Sequence, residues 1–244
     1  MHASAALEPR APATMARMND LVTYEIEGRI ATIAMDDGKA NALSIDMLNE
    51  LLAALDQAER DEAVVVLTGR EGRFSAGFDL KVFTEQPERI VEMLRLGAAF
   101  SERVLGFPTP VVVAANGHAI AAGSFALLAA DVRIGTEGPF KIGLNEVQIG
   151  LTVPLFVIAL ARHRLHPAHF SGAVVNAKMY DPESAMPAGY LDRVVPAGDL
   201  RAASLAAAEE LAGLNAEAHK ATKLRVRGDA LKELREGIDS EFPA

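Results

Sequence analysis

The stretch 111–154, VVVAANGHAIAAGSFALLAADVRIGTEGPFKIGLNEVQIGLTVP, decides how the rest of the chain is read. An apolar run ends at Gly117, a small-residue turn follows (Ala119, Ala121, Ala122, Gly123), and then a helix-compatible segment begins. The first N–H groups of a helix have no partner inside it, so such a turn can stabilise an anion. Glu146 stands about twenty residues further on among mostly uncharged neighbours, where desolvation would raise its pKa toward that of a general base.

Outward from this stretch the pattern is that of an α/β protein. Residues 21–35 read as two alternating β segments around Glu27-Gly28-Arg29, a hairpin. After the polar loop DDGKANAL, Ser44 can cap a helix to about Asp61, with Met47, Leu48, Leu51, Leu52 and Leu55 as its buried stripe. The run 63–67, AVVVL, suits a strand buried on both faces. It leads into GREGRFSAGFDL, a loop with three glycines, and then a helix over 87–105 with Ile90, Met93, Leu94 and Phe100 inward. A second strand, 110–115, feeds the loop 117–123. Strand, loop and helix thus recur, which implies a parallel, crossover-connected core.

Further on, 132–134 and 139–142 read as short strands bracketing a turn at Glu137-Gly138, and Pro154 opens a helix to about Arg164. Beyond His166 the pattern is irregular until an alanine-rich helix at 201–214 and a charged amphipathic tract at 216–237, of a kind that packs on a neighbouring domain or subunit. The divisions expected are a flexible leader, 1–20, with Met15 or Met18 as an alternative start, an α/β body, 21–197, and a helical C-terminal region, 198–244.

Composition removes whole classes of function. With 244 residues, half of them hydrophobic, the chain can build a sizeable core. No run approaches the roughly 18 apolar residues of a membrane span, so no membrane partner is expected. A net charge of −9 argues against a nucleic-acid partner, which needs a basic surface. The absence of cysteine excludes disulfides, thiolate metal sites and cysteine nucleophiles, and fits a cytoplasmic enzyme. GxSxG, GxGxxG and GxxxxGK[ST] are also absent.

Each candidate site admits a plainer reading. In Phe74-Ser75-Ala76-Gly77-Phe78-Asp79-Leu80, Gly77 can turn the chain so that the Phe78 N–H points into a cavity; otherwise this is a strand-to-helix turn capped by Asp79. In Ala121-Ala122-Gly123, the Ala122 N–H is a second such donor, or the small residues serve close packing. Glu146 is either paired, with Arg133 or Lys141, or functional. Asp131 and Glu137 read as solvated turn residues. His163, His166 and His169 have helical spacing, but Pro167 interrupts them and no carboxylate completes a ligand set, so a solvated turn is expected and no metal. His118 reads as structural.

Taken together, KANAL at 39–43, FSAGFDL at 74–80, ANGHAIAAGSFALLAADVRI at 115–134 and GLNEVQIGLTVP at 143–154 resemble the crotonase, or enoyl-CoA hydratase/isomerase, superfamily. The resemblance covers nearly all of the chain after the leader. It implies a spiral of ββα units, a helical C-terminal region used in trimerisation, with a homotrimer or hexamer as the assembly, and an acyl-CoA thioester as ligand. Coenzyme A is then part of the substrate, and no metal or redox cofactor is implied.

By the same resemblance, the Phe78 and Ala122 N–H groups hold the thioester oxygen, with Ala122 in place of the usual glycine. Lys39 and Ala40 of the first loop, with Ala76, Gly77, Asp79 and Leu80, would contact the coenzyme A portion, and Lys39 or Lys81 could meet a phosphate. Phe125, Met93 and Phe156 would line the acyl pocket. Hydratases of the family use two glutamates, and the first of them aligns with Phe125, so only Glu146 is matched. One base suffices to move a double bond, and GLNE-x-Q-x-G-x-x-x-P also resembles the Δ3,Δ2-enoyl-CoA isomerases of fatty-acid metabolism. The expectation is an isomerase, with a single-glutamate hydratase and a non-catalytic acyl-CoA-binding protein as alternatives.

Overall fold

The structure is a computed structural model that describes residues 21–243 and, as backbone, Thr14–Arg17. A hairpin of β2 (Val22–Glu27) and β3 (Ile30–Met35) follows β1 (Thr14–Arg17), which runs antiparallel to β2. Part of the expected flexible leader is therefore an edge strand; the rest of 1–20 lies outside the described residues.

From β3 onward the chain repeats one unit, a strand in the main sheet, a short strand outside it, then a helix. The first unit is β3, β4 (Ala42–Leu43) and α1 (Ile45–Arg60), with Ser44 Oγ accepting from Met47 N at 3.1 Å as cap. The second is β5 (Val64–Thr68), β6 (Gly72–Ser75), β7 (Gly77–Phe78), α2 (Leu80–Glu85) and α3 (Ile90–Leu105). β8 (Val111–Ala115), β9 (Gly117–Ile120) and α4 (Phe125–Ala129) form the third; β10 (Val132–Thr136), β11 (Ile142–Gly143) and α5 (Leu155–Arg164) the fourth. This is the ββα spiral that the resemblance implied.

Then come α6 (Pro167–Val174), α7 (Pro182–Ala188), β12 (Arg193–Val195), α8 (Leu200–Ala212) and α9 (Ala216–Glu241). The main sheet has the order β1-β2-β3-β5-β8-β10-β12 and is parallel from β3 to β12. Its central strands are buried on both faces because side chains alternate. Val65, Leu67, Val111 and Val113 face the main core with α1 and α3, whereas Val64, Val66, Val112 and Ala114 lie under Leu200 and Ala208 of α8. The short strands form a second parallel sheet, β11-β9-β6, with Gly72, Gly117 and their neighbours in register. A Cβ on Gly117 would lie 2.1 Å from the carbonyl carbon of Gly72, so only glycine permits that approach.

Four expectations are corrected. The region after His166 is not irregular; Pro167 and Pro182 each sit in a first helical turn, where a missing N–H costs nothing. Residues 139–141 are not a strand, and β10 and β11 belong to different sheets. Asp131 is not a solvated turn residue: it pairs with Lys223 at 2.7 Å and Arg227 at 2.9 Å and accepts from Val111 N at 2.7 Å. The three histidines do not share a turn: His163 is partly buried near the end of α5, His166 caps α6, and His169 lies within it. Burial and nearby guanidinium groups push His163 down to about 4. Among the described residues no group of three His, Asp or Glu could hold a metal ion, and no helix is long and apolar enough to cross a membrane.

The helical C-terminal residues pack on their own chain. α8 covers the outer face of the main sheet, and α9 crosses α3 and α5. Lys223 Nζ donates to the Phe107 and Thr109 carbonyls, and Arg227 to those of Leu105 and Ala129, so α9 is tied to the ends of the turns it covers.

Candidate active site

The small sheet β11-β9-β6 places the candidate residues. Its register sets Ser75 opposite Ala119 and Ala119 opposite Ile142. Phe78 and Ala122 each lie three residues beyond these partners and Glu146 four, so all three leave the carboxyl ends of adjacent parallel strands. Binding sites of α/β proteins favour such strand ends.

The first loop is held from below. Asn41, buried and at φ +52°, donates from Nδ2 to Met35 O at 2.9 Å, Arg73 O at 3.2 Å and Phe74 O at 3.3 Å. Ser75 Oγ donates to Asn41 O at 2.7 Å and accepts from Gly77 N at 3.2 Å. Ala76 N donates to Ala40 O at 3.0 Å, and β4 pairs with β7. The KANAL and FSAGF segments are thus one rigid body, which brings Lys39, Ala40, Ala76 and Gly77 together.

The two loops interlock through glycines. Gly77 has φ +94°, and a Cβ there would lie 2.9 Å from Ile120 O and 3.3 Å from Ala122 N. A Cβ on Gly123 would meet Ser75 O at 2.4 Å. The tight turn of the second loop is made at Ala121, at φ +50°, rather than at Ala122. Its carbonyl accepts from Ser124 Oγ at 2.8 Å.

Asp79 caps α2, accepting from Lys81 N at 3.0 Å, which is the plainer of its two readings; Leu80, Lys81 and Lys39 are exposed. Phe125 is 1 % exposed and packs edge-on against Phe78 at 5.8 Å and Phe156 at 5.6 Å. The Phe78 ring lies over Gly97 of α3, where a Cβ would meet it at 2.5 Å. Position 125 is therefore filled by an aromatic column and carries no polar atom. Met93 is buried in the same core.

Glu146 is 7 % exposed, and its Oε2 has no hydrogen-bond partner among the described residues. Neither expected counter-ion reaches it: Arg133 binds Asp192 and the Gly189 carbonyl, and Lys141 is exposed. Desolvation drives its pKa up to about 7, opposed in part by its own backbone N–H. The turn after it is fixed, because Glu146 O accepts from Ile149 N at 3.1 Å and Leu151 N at 2.9 Å. A cavity of about 620 Å³ lies instead between the outer face of the main sheet and α8. Register and an isolated acid, rather than void size, mark the candidate site.

Two contributors escaped the sequence reading. Asn41 stood inside a quoted motif, and an asparagine is one of the few residues at ease with positive φ, which was its signal. Tyr190, wholly buried with a hydroxyl that has no hydrogen-bond partner among the described residues, gave none.

The family model described as enoyl-CoA hydratase/isomerase matches residues 25–242. The chain belongs to this family. Its fold is that of the crotonase superfamily. An enoyl-CoA hydratase/isomerase family protein from Pseudomonas syringae superposes with a TM-score of 0.90 at 48% identity, over 92% of this chain and 98% of that one. The apo enoyl-CoA isomerase of Mycobacterium tuberculosis gives 0.86 at 43%, over 91% and 97%. An enoyl-CoA hydratase from Mycobacterium marinum gives 0.87 at 42%, over 91% and 100%. An enzyme of the hydratase/isomerase family acts in acyl-CoA metabolism, and similarity is equally close to proteins bearing either name.

Proposed function

We propose that the protein is a Δ3,Δ2-enoyl-CoA isomerase in which Glu146 is the single acid–base group. The observation that carries this reading is the pairing of an isolated, buried Glu146 with a phenyl ring at position 125. Syn addition of water by a carboxylate pair needs a second proton-transferring group, and Phe125 offers none.

In the reaction, ionised Glu146 takes a proton from C2 of a 3-enoyl thioester. The C2–H electrons move into the thioester and the C3=C4 pair conjugates, giving a dienolate. Phe78 and Ala122 N–H groups bind its oxygen, each worth roughly 3 kcal/mol of barrier. The same carboxyl then returns the proton to C4, leaving a 2-enoyl thioester, so atoms and charge balance without water or cofactor. A base with a pKa near 7 is about half ionised at neutral pH, which suits both steps. In this reading Lys39, Ala40, Ala76, Gly77, Asp79 and Leu80 form the coenzyme A side of the site, Phe125 backs the acyl side, and the 198–244 region serves a homotrimer or hexamer.

The test is a parallel assay of 3-enoyl-CoA isomerisation and crotonyl-CoA hydration with product analysis. Isomerisation lost in Glu146→Gln is expected. Abundant 3-hydroxyacyl-CoA that survives Glu146→Gln rejects the mechanism, while binding of CoA esters without either reaction points to a non-catalytic protein.

A further inference from the structure

A second buried polar group, the Tyr190 hydroxyl, goes unused in the proposed reaction. Tyr190 is fully buried, its N donates to Ala185 O at 3.0 Å at the end of α7, and Gly189 before it turns the chain at φ +99°. The backbone is thereby pinned and the ring has one place to go. It lies 5.6 Å from the ring of Tyr180. The Tyr180 backbone in turn bridges that of Ile142 through two hydrogen bonds of 2.9 Å each, which ties the ring pair to the strand that leads to Glu146. Burial holds the Tyr190 phenol above its ordinary pKa, the nearby Tyr180 and Glu146 add to this, and the Leu144 N–H opposes it.

Among the described residues, neither Tyr190 OH nor Glu146 Oε2 nor Asn145 Oδ1 has a hydrogen-bond partner. A phenylalanine would fill the space of Tyr190 without burying a hydroxyl, and burying one unbonded is costly. The three atoms are complementary: a phenol donates, whereas a carboxylate and an amide oxygen accept. A single water accepting from Tyr190 could donate to both oxygens at once.

We propose that Tyr190 is a positioning residue for Glu146, its O–H donating to one bridging water that in turn donates to Oε2 and so fixes the direction of the carboxylate. This role rests on Glu146 being the base. Donation to the ionised carboxyl favours the charged form and offsets part of the desolvation that raises Glu146. The other titratable groups on this side stand further back. His169 Nδ1 lies 3.4 Å from Tyr180 OH and 6.2 Å, ring to ring, from His166, and Lys178 stands 4.9 Å from the Tyr180 ring. Arg133 with Asp192, and Arg164 near the Leu128 and Ala130 carbonyls, lie behind the Gly189 turn.

Tyr190→Phe tests the proposal, with two readouts on the full-length protein. The first is the pH profile of kcat/KM for 3-enoyl-CoA isomerisation. The second is carboxyl titration by NMR on protein carrying 13C at the glutamate side-chain carboxyls, with the Glu146 signal assigned from its loss in Glu146→Gln. The expected result is an upward move of the acid limb and of the Glu146 titration by about one pH unit, with kcat at pH 7 reduced several-fold and KM held. An unmoved Glu146 titration overturns the proposal whatever the rates do. Should isomerisation itself be absent, the NMR titration still reads the contact, so the two failures are distinguishable.

Discussion

Two carboxylates in the stretch 111–154 are largely shielded from solvent, and they are treated in opposite ways. Asp131, whose side chain is 11% exposed, is held by Lys223, Arg227 and the Val111 N–H. Glu146 is buried, and among the described residues its Oε2 has no hydrogen-bond partner. A fully bonded acid is stable as an anion and has no reason to exchange its proton; an isolated one stands close to its pKa and can. Asp131 therefore belongs to the fold and, in the proposed reading, Glu146 to the chemistry, a division that their flanking residues alone do not draw.

The largest expected effect separates them by rate. Glu146→Gln keeps size and shape but cannot take a proton, and loss of a general base costs on the order of a thousandfold in kcat. Steady-state isomerisation checks this, and a loss under tenfold contradicts the role. Asp131→Ala should act the other way round. Removing it leaves two buried cations without their anion, costing about 3–5 kcal/mol in urea unfolding, with hydrogen exchange rising first along α9. Kcat per folded molecule should fall far less than in Glu146→Gln.

A third effect uses pH. The Glu146 carboxyl moves from an ordinary 4.5 to about 7 on folding, so between these values the folded state holds the proton more firmly than the unfolded chain. Stability contributed by the neutral acid is then full below pH 4.5 and falls as pH rises through 7, by about 3 kcal/mol in all. Glu146→Gln removes this dependence. Its stability relative to the parent should therefore be higher at pH 8 than at pH 5 by roughly that amount, and urea curves at both pH values measure it. An equal difference at the two pH values would mean that the carboxyl is not desolvated.

The contrast also shows what a sequence can carry. Glu146 and the two glycine-containing loops were singled out by the order of their motifs and the family resemblance, whereas the short strands β6 and β9 that position them read as loop. The hairpin, α1 with its Ser44 cap, and the strands around Val65 and Val113 were legible from periodicity. The partners of Asp131 lie some ninety residues away in α9, and nothing near position 131 announces them. α6 was missed because Pro167 read as a break, when it occupies the first turn of a helix, where proline is tolerated, as Pro182 does in α7. Tyr190 packs on Tyr180, and Tyr180 pairs with Ile142 across tens of residues, so nothing near position 190 in the sequence announces its surroundings.

The smallest expected effect sharpens the same division on the backbone. Ala121 holds φ +50° in the second loop, a conformation that costs an L-residue with a Cβ on the order of 1 kcal/mol. Its carbonyl is fixed by Ser124 Oγ and its Cβ stands where the Gly77 turn approaches, so packing rather than preference sets the angle. Ala121→Gly relieves the strain but gives the unfolded chain more freedom, and these two terms nearly cancel. The net change should be a gain of less than about 1 kcal/mol in urea unfolding. A clear loss would show that the Ala121 methyl group packs against Gly77 more strongly than its backbone is strained, placing this residue with Asp131 among those that serve the fold.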